Sequence, residues 1–287
     1  MTTAHIGDSG IVLNGEPDDE GVLWEWQEGA DPWIAPDPRE ETGDLPFAHG
    51  SWNATAYYQA RMQDLSVMVT APTHAGLHRA HDRWRAAIGL KPFRFQVAEP
   101  HLTRWAMMRR RGPLPWKEEL GGDEEPGAAF ATTSLALVGD DPLIYAEQQL
   151  SITTGFPSTI GGLQWPTAWP TSWDAEVESG VLVLDNPGNE HADILWRIDG
   201  PVSRPRILDP VSGESFTLAL DLVAGEWVTV DSATHQVLLL GQQGASRRPQ
   251  WSGKWLTVPP GGRAFVFAGA AGSAPASATA SWWPTWI

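Results

Sequence analysis

The chain has 287 residues, of which 42% are hydrophobic and 19% charged, so it can bury a core and is not compositionally disordered. Its 29 glycines and 24 prolines argue against a mainly helical protein and favour short strands joined by turns. The absence of cysteine excludes disulfides and thiolate metal sites, and a formal net charge of −16 argues against tight nucleic-acid binding.

The negative charge is concentrated near the N-terminus. Residues 1–60 hold twelve acidic residues and a single base, Arg39, for a net charge of −11. Such a surface repels phosphate and suits one that DNA must pass without sticking. The opening "MTTAHIGDSG" lacks the features of a signal peptide, and no apolar run approaches the roughly 18 residues of a membrane helix. We therefore expect a protein made in a cytoplasm, without membrane association.

The N-terminal half is predicted to consist of strands with one helix. "GIVLNGEP" and "GVLWEWQEG" are strand-like, whereas residues 28–51 are acidic, rich in Pro and Gly, and predicted to form a long loop. A strand in "YYQARMQDLSVMVTAP" precedes a helix in "THAGLHRAHDRWRAAIG", which Gly89 ends. The apolar residues on one face of this helix are Leu77, Ala80, Trp84 and Ile88. Strands follow in "PFRFQV", "LTRWAMMRRRG" and "AAFATTSLALVG", with a polar loop, "PWKEELGGDEEPG", before the last.

From about residue 150 the pattern changes to short strands at regular spacing. Alternating segments such as "ADILWRIDG", "SFTLALDL" and "EWVTVD" are separated by turn signals every eight to twelve residues. This spacing is typical of an antiparallel sandwich or jelly roll. We predict a mainly β protein of two domains, residues 1–148 and 149–287, with Trp84 and Trp196 in their cores.

Three histidines share a helical stripe. His74, His78 and His81 are spaced i, i+4, i+7, which is compatible with a metal site. The preferred interpretation is a polar flank beside the apolar stripe. Acidic clusters at residues 18–20, 118–119, 123–125 and 140–141 lie among Gly and Pro and are predicted to be solvated surface.

The usual signatures of catalysis are missing from the sequence. It contains no GxSxG elbow, no P-loop and no GxGxxG after a strand. No pair of carboxylates stands out as the acid and base of a glycosidase. We therefore expect no catalytic residue, no cofactor and no metal, and we keep a glycoside hydrolase only as the weakest of three hypotheses.

One stretch, "LQWPTAWPTSW", carries tryptophan at every fourth position. Trp165, Trp169 and Trp173 cannot lie on a helix because Pro166 and Pro170 interrupt it. They are candidates for stacking on glycans or for packing at an interface. Extended Pro-rich segments have about three residues per turn, which would not keep all three rings on one side, so interface packing is favoured.

Six segments follow one another in a fixed order: "FATTSLALVGDDPLIYA", "LQWPTAWPTSW", "RIDGPVSRPRILDP", "LVAGEWVTVD", "WLTVPPGGRAFVFAG" and "SATASWWPTWI". This ordered series resembles the distal tail proteins, often called minor tail proteins, of siphovirus-type phages with long, non-contractile tails, especially phages of actinobacterial hosts. The chain departs from the family at Gly262-Arg263, where relatives often carry Asn.

This resemblance implies an N-terminal domain related to tail-tube subunits and a C-terminal galectin-like sandwich. It implies a homo-oligomeric ring, expected to be a hexamer, that joins the tail tube protein to the tail tip hub protein and lets DNA pass. The tape-measure protein is a further implied partner, and the implied location is the virion tail tip after assembly in the host cytoplasm. The alternative hypothesis is a carbohydrate-binding module for host cell-wall glycans.

Overall fold

The structure, a computed structural model, describes residues 2–26, 31–119, 129–160, 176–178, 180–240, 245–272 and 275–287; for residues 158–160, 176–178 and 272 the description covers the backbone. Within these ranges the chain forms thirty strands and one α-helix, which confirms the predicted mainly β fold. The chain divides into two compact units, Met1–Glu147 with Ile287, and Gln148–Trp286.

The N-terminal unit is one large antiparallel sheet with a helix and two small ribbons. Its strands are β1 (Thr3–Ile6), β2 (Val12–Leu13), β3 (Leu23–Trp26), β4 (Pro38–Arg39), β5 (Thr42–Asp44), β6 (Ser51–Asn53), β7 (Tyr57–Tyr58), β8 (Arg61–Ala71), β9 (Phe93–Ala98), β10 (Thr103–Arg110), β11 (Trp116–Glu119), β12 (Ala129–Gly139) and β13 (Ile144–Ala146). The helix, α1 (His74–Ala87), lies between β8 and β9. The sheet has the order β2-β1-β9-β10-β12-β8-β3, with β11 also paired to β12 and β13 to β10.

Strands β8 and β12 are the longest of this sheet. Each is eleven residues long, and they pair along their whole length, from Arg61 opposite Gly139 to Ala71 opposite Ala129. In β8 buried residues alternate with more exposed ones along the whole strand, as the two-residue period of a strand with one face on the core requires.

Helix α1 covers the core face of β8 and β12, and its prediction is confirmed. Thr73 caps its N-terminus by accepting a hydrogen bond from the Gly76 N–H at 3.1 Å. Trp84 is fully buried and stacks on Trp24, with ring centroids 5.3 Å apart. The helix ends at Ile88. Gly89, which was predicted to end the helix, does not have the positive φ of a left-handed glycine stop.

Two predicted loops contain strands. Residues 28–51 were predicted as one loop, but β4 and β5 lie within it and pair with β7 and β6. The polar segment after Gly112 was also predicted as a loop, yet β11 pairs with residues 130–133 of β12. Both predictions were wrong because backbone pairing with a neighbouring strand overrides a weak local preference.

The C-terminal unit contains seventeen described strands. They are β14 (Leu150–Gly155), β15 (Ser158–Ile160), β16 (Glu176–Glu178), β17 (Val181–Leu184), β18 (Ala192–Asp199), β19 (Val202–Ser203), β20 (Arg206–Leu208), β21 (Ser215–Leu218), β22 (Asp221–Leu222), β23 (Trp227–Asp231), β24 (Gln236–Leu239), β25 (Trp251–Gly253), β26 (Thr257–Val258), β27 (Arg263–Ala268), β28 (Ala271–Gly272), β29 (Ser277–Trp282) and β30 (Thr285–Trp286). One main sheet has the order β14-β29-β18-β23-β24 and the other β17-β27-β20-β21-β25, all antiparallel.

The two main sheets pack face to face as a sandwich. Trp196 of β18 meets Phe216 and Phe265 of the opposite sheet edge to face, at centroid distances of 6.1 and 5.4 Å. Such edge-to-face contacts fill the layer between sheets with large apolar area. The predicted core position of Trp196 is confirmed, since the residue is 1% exposed.

Candidate assembly surfaces

An exposed β-hairpin, residues 37–59, leaves the N-terminal unit just before β8; we call it the arm. Its ribbons β4–β7 and β5–β6 are linked by a hydrogen bond from Ala54 N to Glu41 O at 2.9 Å. Between the paired segments the first strand has two residues and the second has three, so one extra residue forms a bulge. The arm is therefore one continuous hairpin with its tip at residues 45–50.

The arm carries large apolar side chains that the chain itself does not bury. Their exposed fractions are Phe47 103%, Tyr57 61%, Trp52 49%, Tyr58 49% and Leu45 39%. The arm also holds four carboxylates and one arginine, a net charge of −3. A hairpin that is both acidic and aromatic is poorly explained as a solvated loop, because clustered exposed apolar groups mark interaction surfaces.

Two buried polar residues of β8 hold the segment from which the arm begins, residues 31–36, which we call the root. The Nε of Arg61, which is fully buried, donates to Pro142 O at 2.9 Å, and its Nη1 donates to Ile34 O. Gln63 donates to Asp31 O at 2.9 Å. Burial lowers the pKa of Arg61 to about 10, so the guanidinium remains charged at neutral pH. These bonds satisfy main-chain carbonyls that would otherwise lack partners.

Packing within the arm orients one of its aromatic rings. Trp52 lies opposite Gly43 across the β5–β6 ribbon, and its indole lies across the glycine. A Cβ added at Gly43 would lie 2.6 Å from the Trp52 Nε1, so only glycine leaves room for this ring. The ring is therefore held on one face of the hairpin.

A second surface lies in the C-terminal unit, in the segment "ASRRPQWSGKWL". This segment holds Arg247, Arg248 and Lys254 together with Trp251 and Trp255, and we call these five residues the basic patch. Trp251 and Trp255 stack at 4.1 Å, and His235 stacks on Trp255 at 4.5 Å. Both indoles also pack on the core of the sandwich.

The guanidinium of Arg248 lies at the edge of this stack. Its central carbon is 4.3 Å from the ring centroid of Trp251 and 5.0 Å from that of Trp255, while those centroids are 4.1 Å apart. Three nearly equal distances place the carbon beside the pair, since a position on the outer face would be roughly twice as far from one ring as from the other. The guanidinium of Arg248 therefore lies beside the two indoles, at their edges, and does not cover an outer ring face.

The three histidines of the helical stripe do not form a cluster that could hold a metal ion, as judged from the described residues. His74 and His78 are exposed, and His78 Nδ1 lies 3.7 Å from Glu118 Oε1. His81 stacks on Trp116 of β11 at 4.4 Å, and burial, together with nearby Arg85, lowers its pKa.

One acidic cluster predicted to be solvated is instead structural. The carboxylate of Asp18 is 16% exposed, pairs with Arg83 of α1, and accepts the Val22 N–H at 3.0 Å. Burial alone would raise its pKa, but hydrogen bonds from Val22 and Arg83 lower it on balance. Glu20 pairs with Arg79 at 2.7 Å. These carboxylates are paired because Arg79 and Arg83 of α1 lie beside the turn that carries them.

The tryptophans of the third candidate site, Trp165, Trp169 and Trp173, lie outside the described residues, as do residues 123–125 of the third acidic cluster. Their roles stay predictions. No helix in the described ranges has the length and apolar character needed to cross a membrane.

Neither the arm nor the basic patch was among the predicted sites. The basic patch had a readable signal, because three cations and two tryptophans fall within nine residues of an otherwise acidic chain. The arm did not, since its pairing depends on a register that its composition does not specify.

No protein-family profile and no curated protein matches the chain. Among solved structures it is similar to the SPP1 Dit (gp 19.1) protein, described as a paradigm of the hub adsorption apparatus in phages that infect Gram-positive bacteria. That likeness has a TM-score of 0.60 and 13% identity and covers 100% of both chains. Two structures of the phage P2 baseplate in its activated conformation, with Ca and with Sr, give a TM-score of 0.41 at 10% and 9% identity, covering 98% of this chain and 97% of theirs. On the first of these likenesses, the chain has the fold of the SPP1 Dit protein from end to end.

Proposed function

We propose that the protein is a structural component of the tail hub of a phage with a long, non-contractile tail. Six copies form a ring at the distal end of the tail, join the tail tube protein to the tip hub protein and let DNA pass. In this role the protein is a scaffold and not an enzyme, and it becomes part of the virion after assembly in the host cytoplasm. The actinobacterial host and the contact with the tape-measure protein rest on the sequence resemblance.

The observation that carries this proposal is the likeness to the SPP1 Dit protein over 100% of both chains. A match to one unit alone would say little about function, because sandwich folds occur in proteins with many functions. A likeness through both units, together with the family resemblance of the sequence, supports a shared role in the tail.

The arm supports self-association. Five large apolar side chains exposed on one hairpin would be covered if each copy packed its arm against a neighbour. If the arm of one copy packs on a different surface of the next copy, the contact is head-to-tail. Such contacts form a closed ring when the rotation from one copy to the next adds up to a full turn. The net negative charge of residues 1–60 suits a surface near passing DNA.

The proposal is tested on the purified protein by light scattering after size exclusion, combined with negative-stain electron microscopy over a concentration series. We expect annular particles, and six copies of 31.3 kDa give about 188 kDa. Phe47→Ser with Trp52→Ser should reduce assembly without changing the circular dichroism spectrum. The matched control is Val211→Ser with Val223→Ser, two exposed valines of the C-terminal unit.

A monomer at every concentration, which also failed to add to isolated tail tubes, would contradict the ring. DNA passage is tested separately by measuring the inner diameter of the annulus, which must be wide enough for duplex DNA.

A further inference from the structure

The basic patch holds positive charge that the described part of the chain does not neutralise. Residues 245–256 contain three cations and no acid, in a chain of net charge −16. Lys254 has a loose ion pair with Glu214 at 3.8 Å. Arg247 and Arg248 have no carboxylate partner among the described residues, whereas eight other arginines and lysines do.

Both faces of Trp255 are already used, which restricts what the patch can bind. Trp255 has His235 on one face and Trp251 on the other, since both stack on it in nearly parallel planes and no contact joins His235 to Trp251. A neutral sugar needs a free ring face for stacking. The exposed groups are instead the cations at the rim, with Arg248 held against the indole edges. The patch therefore fits a partner that brings clustered carboxylates.

The arm is the complementary surface on this chain. Asp37, Glu40, Glu41 and Asp44 have no basic partner among the described residues and are exposed or half-exposed. At about 3.3 Å per residue, Pro38 to Leu45 spans about 23 Å, so the carboxylates line a rod that extends from the root. The two surfaces therefore carry unpaired charges of opposite sign.

We propose that the arm of one copy docks on the basic patch of a second copy. The carboxylates of the arm meet Arg247 and Arg248, and the contact is charge-complementary and salt-sensitive. Each copy then offers one arm and one basic patch, the arrangement that a head-to-tail ring needs. This inference rests on the proposed function, because it requires that the chain self-associates.

The test reverses the charges of each surface in the full-length protein. One variant carries Arg247→Glu and Arg248→Glu, and another carries Glu40→Lys and Glu41→Lys. Sedimentation velocity at low salt should show that each variant associates at least tenfold more weakly than the wild type. An equal mixture of the two should recover association, because the acidic arm then meets an intact basic patch and the lysine arm meets a glutamate patch.

The control is Arg85→Glu with Lys91→Glu, exposed cations of the N-terminal unit, which change the net charge as the basic-patch variant does. It should associate like the wild type. If the basic-patch variant assembles normally, the patch does not receive the arm and the docking proposal is overturned while the ring stands. If both variants are impaired but the mixture does not recover, the two surfaces do not meet and the proposal is equally overturned. A wild type that never associates contradicts the ring itself.

Discussion

Replacing Arg61 with methionine tests whether a buried charge holds the root of the arm. The side chain of Arg61 is 0% exposed and donates to two main-chain carbonyls, those of Ile34 and Pro142. Methionine fills much of the same space but cannot donate, so both carbonyls lose a partner. The root of the arm and the turn after β12 should loosen together.

The expected loss of stability follows from these contacts. A hydrogen bond from a charged donor contributes about 1.5–3 kcal/mol, so two such bonds contribute about 3–6 kcal/mol. Removing a buried guanidinium also relieves part of its desolvation cost, which offsets some of the loss. We expect a net decrease of about 2–4 kcal/mol in the free energy of unfolding of the N-terminal unit, typical of a disrupted buried polar network. For a unit of this size the midpoint temperature should fall by roughly 10 °C.

The measurement is urea unfolding followed by tryptophan fluorescence and near-ultraviolet circular dichroism, with the transitions of the two units fitted separately. Arg39→Met, an exposed arginine of the arm, is the matched control and should change stability by less than about 0.5 kcal/mol. If Arg61→Met unfolded within that same range, the buried hydrogen bonds would not be what holds the root, and the argument from them would fail.

Three further changes have expected outcomes. Trp196→Ala should cost about 3–5 kcal/mol in the C-terminal unit alone, measured by urea unfolding, because it empties the centre of the sandwich. Gly253→Ala should destabilise the same unit by roughly 1–3 kcal/mol in thermal unfolding, because φ is +122° and the new Cβ would lie 2.1 Å from Ser215 O. The pKa of His81 is lowered in the folded state, so the unfolded state binds its proton first as pH falls. Stability should therefore be full above about pH 6.5, fall below it toward the folded pKa, and fall less in His81→Gln when unfolding is compared from pH 8 to 5.

Much of the secondary structure could be predicted from local pattern. The helix over residues 74–87 has an apolar stripe at helical spacing, and the strands around Trp196 and Phe216 alternate at the two-residue period. In these segments the spacing of apolar residues shows which face is buried, so prediction and structure agree. The arm and β11 lack such a pattern because they are edge elements with little buried surface, and residues 37–51 of the arm and β11 were predicted as loops.

The features of the candidate surfaces also differ in whether they can be predicted from the sequence. The basic patch could have been found from its charge contrast, and the resemblance to phage tail proteins was readable from the order of several segments. That Asp18 binds Arg83 could not be read locally, because 65 residues separate them. The same holds for Arg61 and Pro142, which are 81 residues apart.

The sequence by itself determined the mainly β character, the single predicted helix, core positions such as Trp84 and Trp196, and the excess of acidic residues near the N-terminus. Each of these depends on the periodicity or composition of neighbouring residues, which the chain shows directly. Only the tertiary structure decided that residues 37–59 form an exposed arm, that a buried arginine holds its root, and that two indoles and a histidine stack beside Arg248. Those features depend on strand register and on contacts between distant segments, and neither is encoded in any local stretch.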